Sequence, residues 1–218
     1  MNKKYSIALF DLDGTLSESG EGILDCVRKI FEEMKRPLPP EKELGKFIGP
    51  PMYDSLIRCG FQHEDAEKGV EIYKRNFLES GIYKNRVYDG MTEVLCSLKE
   101  SGIKLGVATT KYEPFAHRIV SMLRLRDLFD FVGGATADTS RRTKSAVIKY
   151  TLDSLGASSS DCCVMVGDTK FDAEGAALTG VDFIGCLYGY GTKQEMEAFF
   201  PGAPFARKPD ELKALILS

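Results

Sequence analysis

The first apolar run of the chain is Ile7-Ala8-Leu9-Phe10, which ends at Asp11 and is followed by Asp13 and Gly14. A short unbroken apolar run that ends in Asp and Gly is typical of a strand buried on both faces of a parallel sheet. Side chains two apart on a strand point the same way, so Asp11 and Asp13 are predicted to project together beyond its carboxyl end. Gly14 lets the backbone come close to a bound group, which makes it a candidate substrate-binding residue.

The hydrophobic period becomes helical after a polar, glycine-rich stretch at residues 17–22. Apolar residues recur at helical spacing from Ile23 to Met34, and Pro37 ends this helix. Further helices are predicted around residues 44–48, 52–59 and 63–80. Because no strand is predicted between residues 17 and 80, a helical insert is expected directly after the first strand.

Strands and helices alternate from Val87 onward. The predicted strands cover residues 104–109, 129–134, 162–167 and 183–187, and the predicted helices cover residues 91–98, 115–123, 144–155, 173–178 and 210–217. This alternation is typical of a doubly wound parallel sheet. The predicted fold is therefore α/β, with a Rossmann-like core of residues 1–16 and 84–218 and a helical cap domain of residues 17–83.

Composition places the chain among ordinary globular proteins. The 218 residues are 43% hydrophobic and 28% charged, with a net charge of −3. No basic block is present, so neither a nucleic acid nor an anionic membrane surface is expected as a partner. Asp11 and Asp13 interrupt the only signal-like stretch, and a cytoplasmic location is expected.

Cysteines and histidines carry little of the predicted chemistry. The six cysteines are scattered, and most stand in apolar runs, so reduced and buried thiols are expected at Cys26, Cys96, Cys162, Cys163 and Cys186. The chain has two histidines, which disfavours a histidine-rich zinc site or a Ser-His-Asp triad. No G-x-G-x-x-G follows the first strand and no Walker A motif occurs, which disfavours the usual nucleotide-binding folds.

Polar residues stand directly after three of the predicted strands, as Asp11 and Asp13, Thr109 and Thr110, and Asp168. The carboxyl ends of parallel strands share one edge, so these groups are predicted to converge there. Adjacent carboxylates repel each other, Mg²⁺ relieves that repulsion, and an Asp can itself attack phosphorus.

Each of these residues taken alone has an ordinary structural explanation. Asp11 and Asp13 suit a turn, Thr109 a strand end, Lys144 a solvated surface, and Asp172 the N-terminus of a helix. Their occurrence together and in this order favours a site.

Four segments resemble the motifs of the haloacid dehalogenase superfamily, and the resemblance covers essentially the whole chain. They are Asp11-Leu12-Asp13-Gly14-Thr15, a hydrophobic strand that ends in Thr109, Lys144, and the run from Gly167 to Asp172. The helical insert after the first motif resembles members with an α-helical cap. Three further segments resemble phosphoglycolate phosphatase-like and 5′-nucleotidase-like members, namely residues 46–51, 141–144 and 188–191.

This resemblance implies a role for each matching residue. Asp11 is expected as the nucleophile and a Mg²⁺ ligand, and Asp13 as the general acid/base whose backbone carbonyl contacts the metal. Thr109 and Lys144 are expected to hold the transferring phosphoryl oxygens. Asp168 is expected to bind Mg²⁺, and Asp172 to bind it directly or through water.

The implied activity is Mg²⁺-dependent hydrolysis of a small phosphorylated metabolite through an aspartyl-phosphate, with phosphoglycolate or a 5′-nucleotide as substrate. The cap is expected to exclude water and contact the leaving group, with Lys46 and Gly49 as candidates, although a solvated lysine at a helix end fits Lys46 equally. Thr110 is a further candidate beside Thr109. A monomer or a weak homodimer is expected.

Two other functions stay open from the sequence. One is a sugar-phosphate mutase that resembles the β-phosphoglucomutase branch, in which the phosphoenzyme must outlive attack by water. The other is a phospho-acceptor module that resembles a response-regulator receiver, although such a module needs no helical cap. Transfer of phosphate between sugar positions separates the mutase from the phosphatase.

Overall fold

A parallel sheet of six strands forms the centre of the protein, in a computed structural model that describes residues 5–138, 140–157 and 162–218. The described strands are β1 (Ile7–Phe10), β2 (Ser17–Glu18), β3 (Arg86–Val87), β4 (Lys104–Tyr112), β5 (Phe131–Ala135), β6 (Cys163–Gly167), β7 (Asp182–Cys186) and β8 (Phe205–Ala206). The sheet has the order β5-β4-β1-β6-β7-β8, and every pairing within it is parallel. The predicted α/β class and parallel sheet are confirmed.

Helices cover both faces of this sheet and form the insert after β1. The described α-helices are α1 (Gly20–Glu33), α2 (Glu41–Leu44), α3 (Met52–Arg58), α4 (His63–Glu79), α5 (Met91–Glu100), α6 (Glu113–Met122), α7 (Lys144–Ser154), α8 (Lys170–Thr179), α9 (Lys193–Glu197) and α10 (Glu211–Leu217). None of the helices in these ranges is both long and apolar enough to span a membrane.

The first strand is central because apolar groups cover both of its faces. β1 pairs with β4 on one side and with β6 on the other. Ala8 and Phe10 belong to one buried apolar cluster, and Ile7 and Leu9 belong to another on the opposite face. This two-sided burial explains the unbroken apolar run, since no position on the strand faces water.

The insert after β1 packs its helices around aromatic side chains. Phe31 of α1 makes edge-to-face contacts with Phe47 and Phe61, at ring-centroid distances of 6.1 and 5.3 Å. Gly69 of α4 allows close packing, because a Cβ there would lie 2.8 Å from a methyl group of Leu56. The predicted helical character of the insert is therefore found, while its limits as a domain of residues 17–83 stay a prediction.

The prediction of no strand between residues 17 and 80 is wrong at one place. Ser17–Glu18 pairs antiparallel with Arg86–Val87 and forms a two-stranded ribbon where the insert leaves and rejoins the core. Two residues are too few to show a hydrophobic period, so backbone pairing alone makes this element.

Three elements extend or add to the predicted core. β4 continues past Thr109 to Tyr112 through a shift in its register with β5. The short elements α9 and β8 were not predicted. Each is too short for a pattern of hydrophobic positions to define it.

The prediction of buried thiols holds for some cysteines only. Cys26, Cys163 and Cys186 are buried. The prediction is wrong for Cys162, which is exposed, and for Cys96, which is half-buried. Cys162 precedes β6 with a positive φ of 51°, so its side chain lies outside the strand that buries Cys163.

Candidate active site

Asp11 and Asp13 lie just beyond the carboxyl end of β1, as the sequence predicts. The Asp11 amide donates a hydrogen bond to the carbonyl of Val166 in β6 at 2.9 Å, which continues the ladder by one residue. Both carboxyl groups are buried, with 4% and 8% of the residue exposed. The sheet edge therefore holds two carboxylates away from bulk water.

Asp168 follows β6 and is fully buried beside this pair. Its Oδ1 accepts a hydrogen bond from Thr15 Oγ1 at 2.9 Å, and its Oδ2 accepts one from the Tyr190 amide at 2.8 Å. Gly14 has a φ of +89°, and a Cβ there would lie 2.2 Å from Asp168 Oδ2. The close approach at Gly14 is therefore to the Asp168 carboxylate, and the predicted contact of Gly14 with substrate stays a prediction.

The loop after β7 holds this side of the site in place. Tyr188 Oη donates to the carbonyl of Thr15 at 3.1 Å. Tyr190 Oη accepts hydrogen bonds from the amides of Ser19 and Gly20 at 3.0 and 2.7 Å. Two tyrosines thereby tie the loop after β1 and the start of α1 to the loop that contacts Asp168.

Lys144, at the N-terminus of α7, brings a buried cation to the carboxylates. Its Nζ lies 2.7 Å from Asp11 Oδ1 and 2.7 Å from Asp172 Oδ1, and it donates a hydrogen bond to the carbonyl of Ala108 at 3.0 Å. The surface alternative for Lys144 is wrong, since only 5% of the residue is exposed.

Asp172 has a capping role and a place in the site at the same time. Its Oδ2 accepts hydrogen bonds from the Thr169 amide and hydroxyl at 2.9 and 2.8 Å, which caps α8. Its Oδ1 faces Lys144. The helix-terminus explanation is therefore correct for this residue, and its predicted role as a metal ligand stays a prediction.

Burial and mutual repulsion act against ionisation of these carboxyl groups. Burial raises the pKa of Asp11 to about 6, although Lys144 lowers it in part. Burial, followed by the charges of Asp172 and Asp11, raises the pKa of Asp168 well above its usual range. Burial disfavours the Lys144 ammonium as well, but Asp11 and Asp172 outweigh that effect and raise its pKa. When Asp11, Asp168 and Asp172 are all ionised, their three negative charges exceed the single positive charge of Lys144.

The residues present fit a hard divalent cation. Asp11, Asp168 and Asp172 each offer a carboxylate oxygen, and these three oxygens lie within 4.8 Å of one another. Asp11 Oδ1 and Asp172 Oδ1 are buried and, within the described ranges, accept no hydrogen bond beyond their ion pairs with Lys144. Oxygen ligands, low exposure and excess negative charge are the properties that Mg²⁺ requires of a protein site.

Asp13 has a different partner from the other carboxylates. Its Oδ2 lies 2.7 Å from Nζ of Lys111, and the two side chains are 11% and 7% exposed. The side chain of Asp13 is therefore outside the set that fits a cation, and the metal contact predicted for its backbone carbonyl stays a prediction. The sequence analysis did not predict that Lys111 lies at this site. Its position two residues after Thr109, at the same strand end, could have indicated it.

The two threonines that follow the apolar part of β4 have different surroundings. Thr109 is buried, and its Oγ1 accepts a hydrogen bond from the Lys111 amide at 3.3 Å. Thr110 Oγ1 donates to the carbonyl of Gly49 at 2.9 Å. Thr110 therefore fastens the core to the insert, and Gly49, with a φ of +107°, is the residue of the insert that reaches it.

A cavity of about 180 Å³ lies between the core and the insert, and Asp13 forms part of its wall. Its wall includes Gly49, Thr110, Lys111 and several aromatic side chains. Lys46 lies elsewhere, on the wall of a wider cleft of about 1360 Å³ whose lining does not include Asp11 or Asp13. Lys46 is largely exposed and pairs with Glu43 at 2.6 Å. The structure thus brings Gly49 and Thr110 to the cavity and leaves Lys46 outside it.

Mg²⁺ is expected to stabilise the folded protein, because it would offset the repulsion among Asp11, Asp168 and Asp172. At about a hundred times its Kd, a cation that binds only the folded state adds about 2.7 kcal/mol, which raises the Tm by about 5–10 °C for a chain of this size. Thermal unfolding with Mg²⁺ or EDTA measures this shift. Asp168→Asn should lose the shift, whereas Asp65→Asn, which removes a carboxylate paired with Arg36 on the insert, should keep it. An equal shift in both variants would contradict the assignment of the site.

Comparison with known proteins shows which family this chain resembles. The sequence profile of the haloacid dehalogenase-like hydrolases matches residues 8–186. The tyrosine-protein kinase PtkA of Mycobacterium tuberculosis is 35% identical over 185 residues, which are 85% of this chain and 63% of that protein. The chain thus spans less than two thirds of the length of this relative.

Other relatives match over nearly their whole length. A 5′-nucleotidase of Pseudomonas aeruginosa is 36% identical, with 91% of this chain and 90% of the relative covered. A phosphoglycolate phosphatase of Aquifex aeolicus is 29% identical, with 96% of each covered. The crystal structure of "a predicted phosphatase from Clostridium acetobutylicum" superposes with a TM-score of 0.91 at 36% identity, over 97% of this chain and 98% of that one.

Proposed function

The chain belongs to the haloacid dehalogenase-like hydrolases, and we propose that it is a Mg²⁺-dependent phosphatase that hydrolyses small phosphomonoesters through a phosphorylated Asp11. The observation that carries this proposal is the convergence of Asp11, Asp168 and Asp172 with Lys144 at one end of the sheet. Relatives named 5′-nucleotidase and phosphoglycolate phosphatase support the same reaction class.

Asp11 is the nucleophile of the proposed reaction. Its carboxylate oxygen attacks phosphorus, the bond from phosphorus to the leaving oxygen breaks, and Asp13 gives a proton to that oxygen. In the second step water attacks phosphorus, Asp13 accepts the proton of that water, and the bond between phosphorus and Asp11 breaks. Free Asp11 and inorganic phosphate result.

Charge neutralisation is the main task of the surrounding residues. The transferring phosphoryl group is anionic, and phosphoryl transfer depends mostly on positioning and on positive charge. Lys144 is held 2.7 Å from Asp11, so its ammonium lies next to the point of attack. The buried hydroxyl of Thr109, which accepts a hydrogen bond from the Lys111 amide, has its own proton to donate to a phosphoryl oxygen at this sheet edge. Bound Mg²⁺ would add positive charge at the phosphoryl oxygens.

A small leaving group suits the cavity beside Asp13. Its volume of about 180 Å³ is below the range of about 300–1,000 Å³ that is usual for ligand pockets. A short alcohol such as glycolate fits this volume better than a nucleoside does. To accommodate a nucleoside, the insert would have to move away from Thr110 and enlarge the cavity. Of the two substrate types expected from the sequence, we therefore place phosphoglycolate before the 5′-nucleotides.

Phosphate release from a panel of esters tests the proposal. The panel contains phosphoglycolate, 5′-nucleotides, hexose phosphates and p-nitrophenyl phosphate, each with Mg²⁺ or EDTA. We expect metal-dependent release with the highest kcat/KM for esters of short alcohols. A preference for nucleotides would contradict the inference from the cavity volume but would still support phosphatase activity.

Two other outcomes would replace the proposed reaction. Movement of phosphate between positions of one sugar, without release, would indicate a mutase. Transfer of phosphate to tyrosine, the activity that the name of the Mycobacterium tuberculosis relative states, would indicate a kinase. The first is measured with a hexose phosphate that carries labelled phosphate, and the second with a labelled nucleoside triphosphate as donor and a tyrosine-containing peptide as acceptor.

A further inference from the structure

Lys111 is a buried cation that the steps above do not use. Its side chain is 7% exposed, and its Nζ lies 2.7 Å from Asp13 Oδ2. A buried ammonium is costly unless it is paired, so this contact requires a reason in the fold or in the reaction. We propose that Lys111 is the positioning residue of the general acid/base Asp13, a role that rests on the proposed phosphatase reaction.

The backbone of β4 is shaped so that Lys111 reaches Asp13. Ala108 pairs with Gly133 of β5, but the next recorded pair joins Tyr112 to Ala135. The three residues from Thr109 to Lys111 therefore stand against Gly134 alone, and this segment of β4 leaves the regular ladder. Irregularities of this kind redirect side chains near active sites.

A side chain of the insert covers the pair from the other side. The ring of Phe77 in α4 has its centroid 4.6 Å from Lys111 Nζ. Phe77 is fully buried and stacks on Phe115 of the core at 5.4 Å. The ammonium is thus enclosed between an aromatic face and the Asp13 carboxylate, which leaves it little freedom to move.

This arrangement restrains one half of the Asp13 carboxyl group. Oδ2 is held by Lys111, whereas Oδ1 is buried and has no hydrogen-bond partner in the part of the chain that the structure describes. A carboxyl group anchored at one oxygen keeps a fixed rotation about its side chain. Lys111 thereby sets the direction in which Asp13 presents its proton.

The ammonium has a second effect during the first chemical step. As the bond from phosphorus to the leaving oxygen breaks, the proton moves from Asp13 to that oxygen and Asp13 becomes a carboxylate. The negative charge that remains on Asp13 lies beside the Lys111 ammonium, since Asp13 Oδ2 and Lys111 Nζ are 2.7 Å apart. In this first step, Lys111 acts only where the leaving oxygen needs a proton.

The dependence on the leaving group distinguishes this role from a structural one. An alkyl phosphate needs a proton on its leaving oxygen, whereas p-nitrophenolate leaves without one. In kcat/KM, which reports the transfer of phosphate to Asp11, Lys111→Met should lower turnover of the best alkyl ester by about 100-fold, the usual size of general-acid catalysis. Turnover of p-nitrophenyl phosphate should fall by about 5-fold or less.

Three control variants complete the experiment. Asp13→Asn should show the same dependence on the leaving group, and the double variant should lose little more than Asp13→Asn alone, because the two residues act as one unit. Lys111→Arg, which keeps the charge, should retain most of the alkyl turnover. Lys111→Gln replaces Lys111→Met if that variant does not fold, with the same pattern expected at smaller size.

Distinct results would overturn the two proposals. Equal losses of alkyl and aryl turnover in Lys111→Met, or additive losses in the double variant, would show that Lys111 is structural and leave the phosphatase intact. Failure of the wild-type protein to release phosphate from any ester, with Mg²⁺ present, would overturn the proposed function itself.

Discussion

Replacement of Asp11 by Asn is expected to abolish phosphate release while the fold is kept. The amide cannot form the phosphorylated intermediate, and loss of a nucleophile lowers kcat by about 10⁵-fold or more. Asn has nearly the shape of Asp, so the contacts of β1 with β4 and β6 stay in place. Steady-state kinetics on the best ester measures the loss, and circular dichroism verifies the fold.

The same variant is expected to be more stable than the wild-type protein when Mg²⁺ is absent. Burial raises the pKa of Asp11 to about 6 from an ordinary value of 3.8. The folded state therefore binds this proton more tightly than the unfolded state does. The contribution of Asp11 to stability is greatest below about pH 4 and falls as the pH rises to about 6. A shift of this size corresponds to about 3 kcal/mol.

Denaturant unfolding in EDTA at pH 4.5 and at pH 7.5 measures this effect. The wild-type protein should lose stability between the two values through Asp11, and Asp11→Asn should lose less. Mg²⁺ should reduce the difference between the two proteins at the higher pH, since it offsets the negative charge. Retained turnover in Asp11→Asn would exclude Asp11 as the nucleophile, whatever the stability data show.

Lys144→Met is expected to cause the largest loss of stability in the site. Lys144 neutralises Asp11 and Asp172, at 2.7 Å from each. Removal of one partner from a buried ion pair costs about 3–5 kcal/mol, because the charge that remains has no compensation. Catalysis should be lost with it, since Lys144 is the cation that lies beside Asp11, the proposed nucleophile. The free energy of unfolding from denaturant titration checks the stability term.

Mg²⁺ separates the electrostatic part of this loss from the packing part. If uncompensated charge destabilises Lys144→Met, Mg²⁺ should raise the Tm of this variant more than that of the wild-type protein. Lys149→Met serves as the control, since it replaces an exposed lysine of the same helix and should leave stability nearly unchanged. Equal destabilisation with and without Mg²⁺ would attribute the cost to packing around the Lys144 side chain.

The sequence by itself determined the layers of the fold and the edge at which the polar groups meet. Ile7 to Phe10 is apolar throughout because both faces of β1 are covered. A parallel sheet brings the residues after its strands to one edge, so Asp11, Asp13, Thr109 and Asp168 were predicted together. The first property follows from the pattern of hydrophobic residues along the chain. The second follows from the rule that the carboxyl ends of parallel strands lie at one edge of the sheet.

Other features escaped the sequence because they are not periodic. The pairing of Ser17–Glu18 with Arg86–Val87 joins residues far apart in the chain over only two positions. The ion pair of Asp172 with Lys144 depends on where α7 lies against the start of α8. Gly14 is required because Asp168 lies against it, a contact across the sheet edge that no local pattern records.

Only the tertiary structure determines which lysine forms an ion pair with which aspartate. Lys46, Lys111 and Lys144 are the same type of residue. The sequence around each one does not show whether the lysine is buried or which carboxylate it contacts. Lys111 lies in the register shift of β4 and pairs with Asp13, and Lys144 lies at the start of α7 and pairs with Asp11. Lys46 lies on the insert and outside the cavity. Electrostatic energy depends on distances between side chains after folding, and those distances are properties of packing rather than of spacing along the chain.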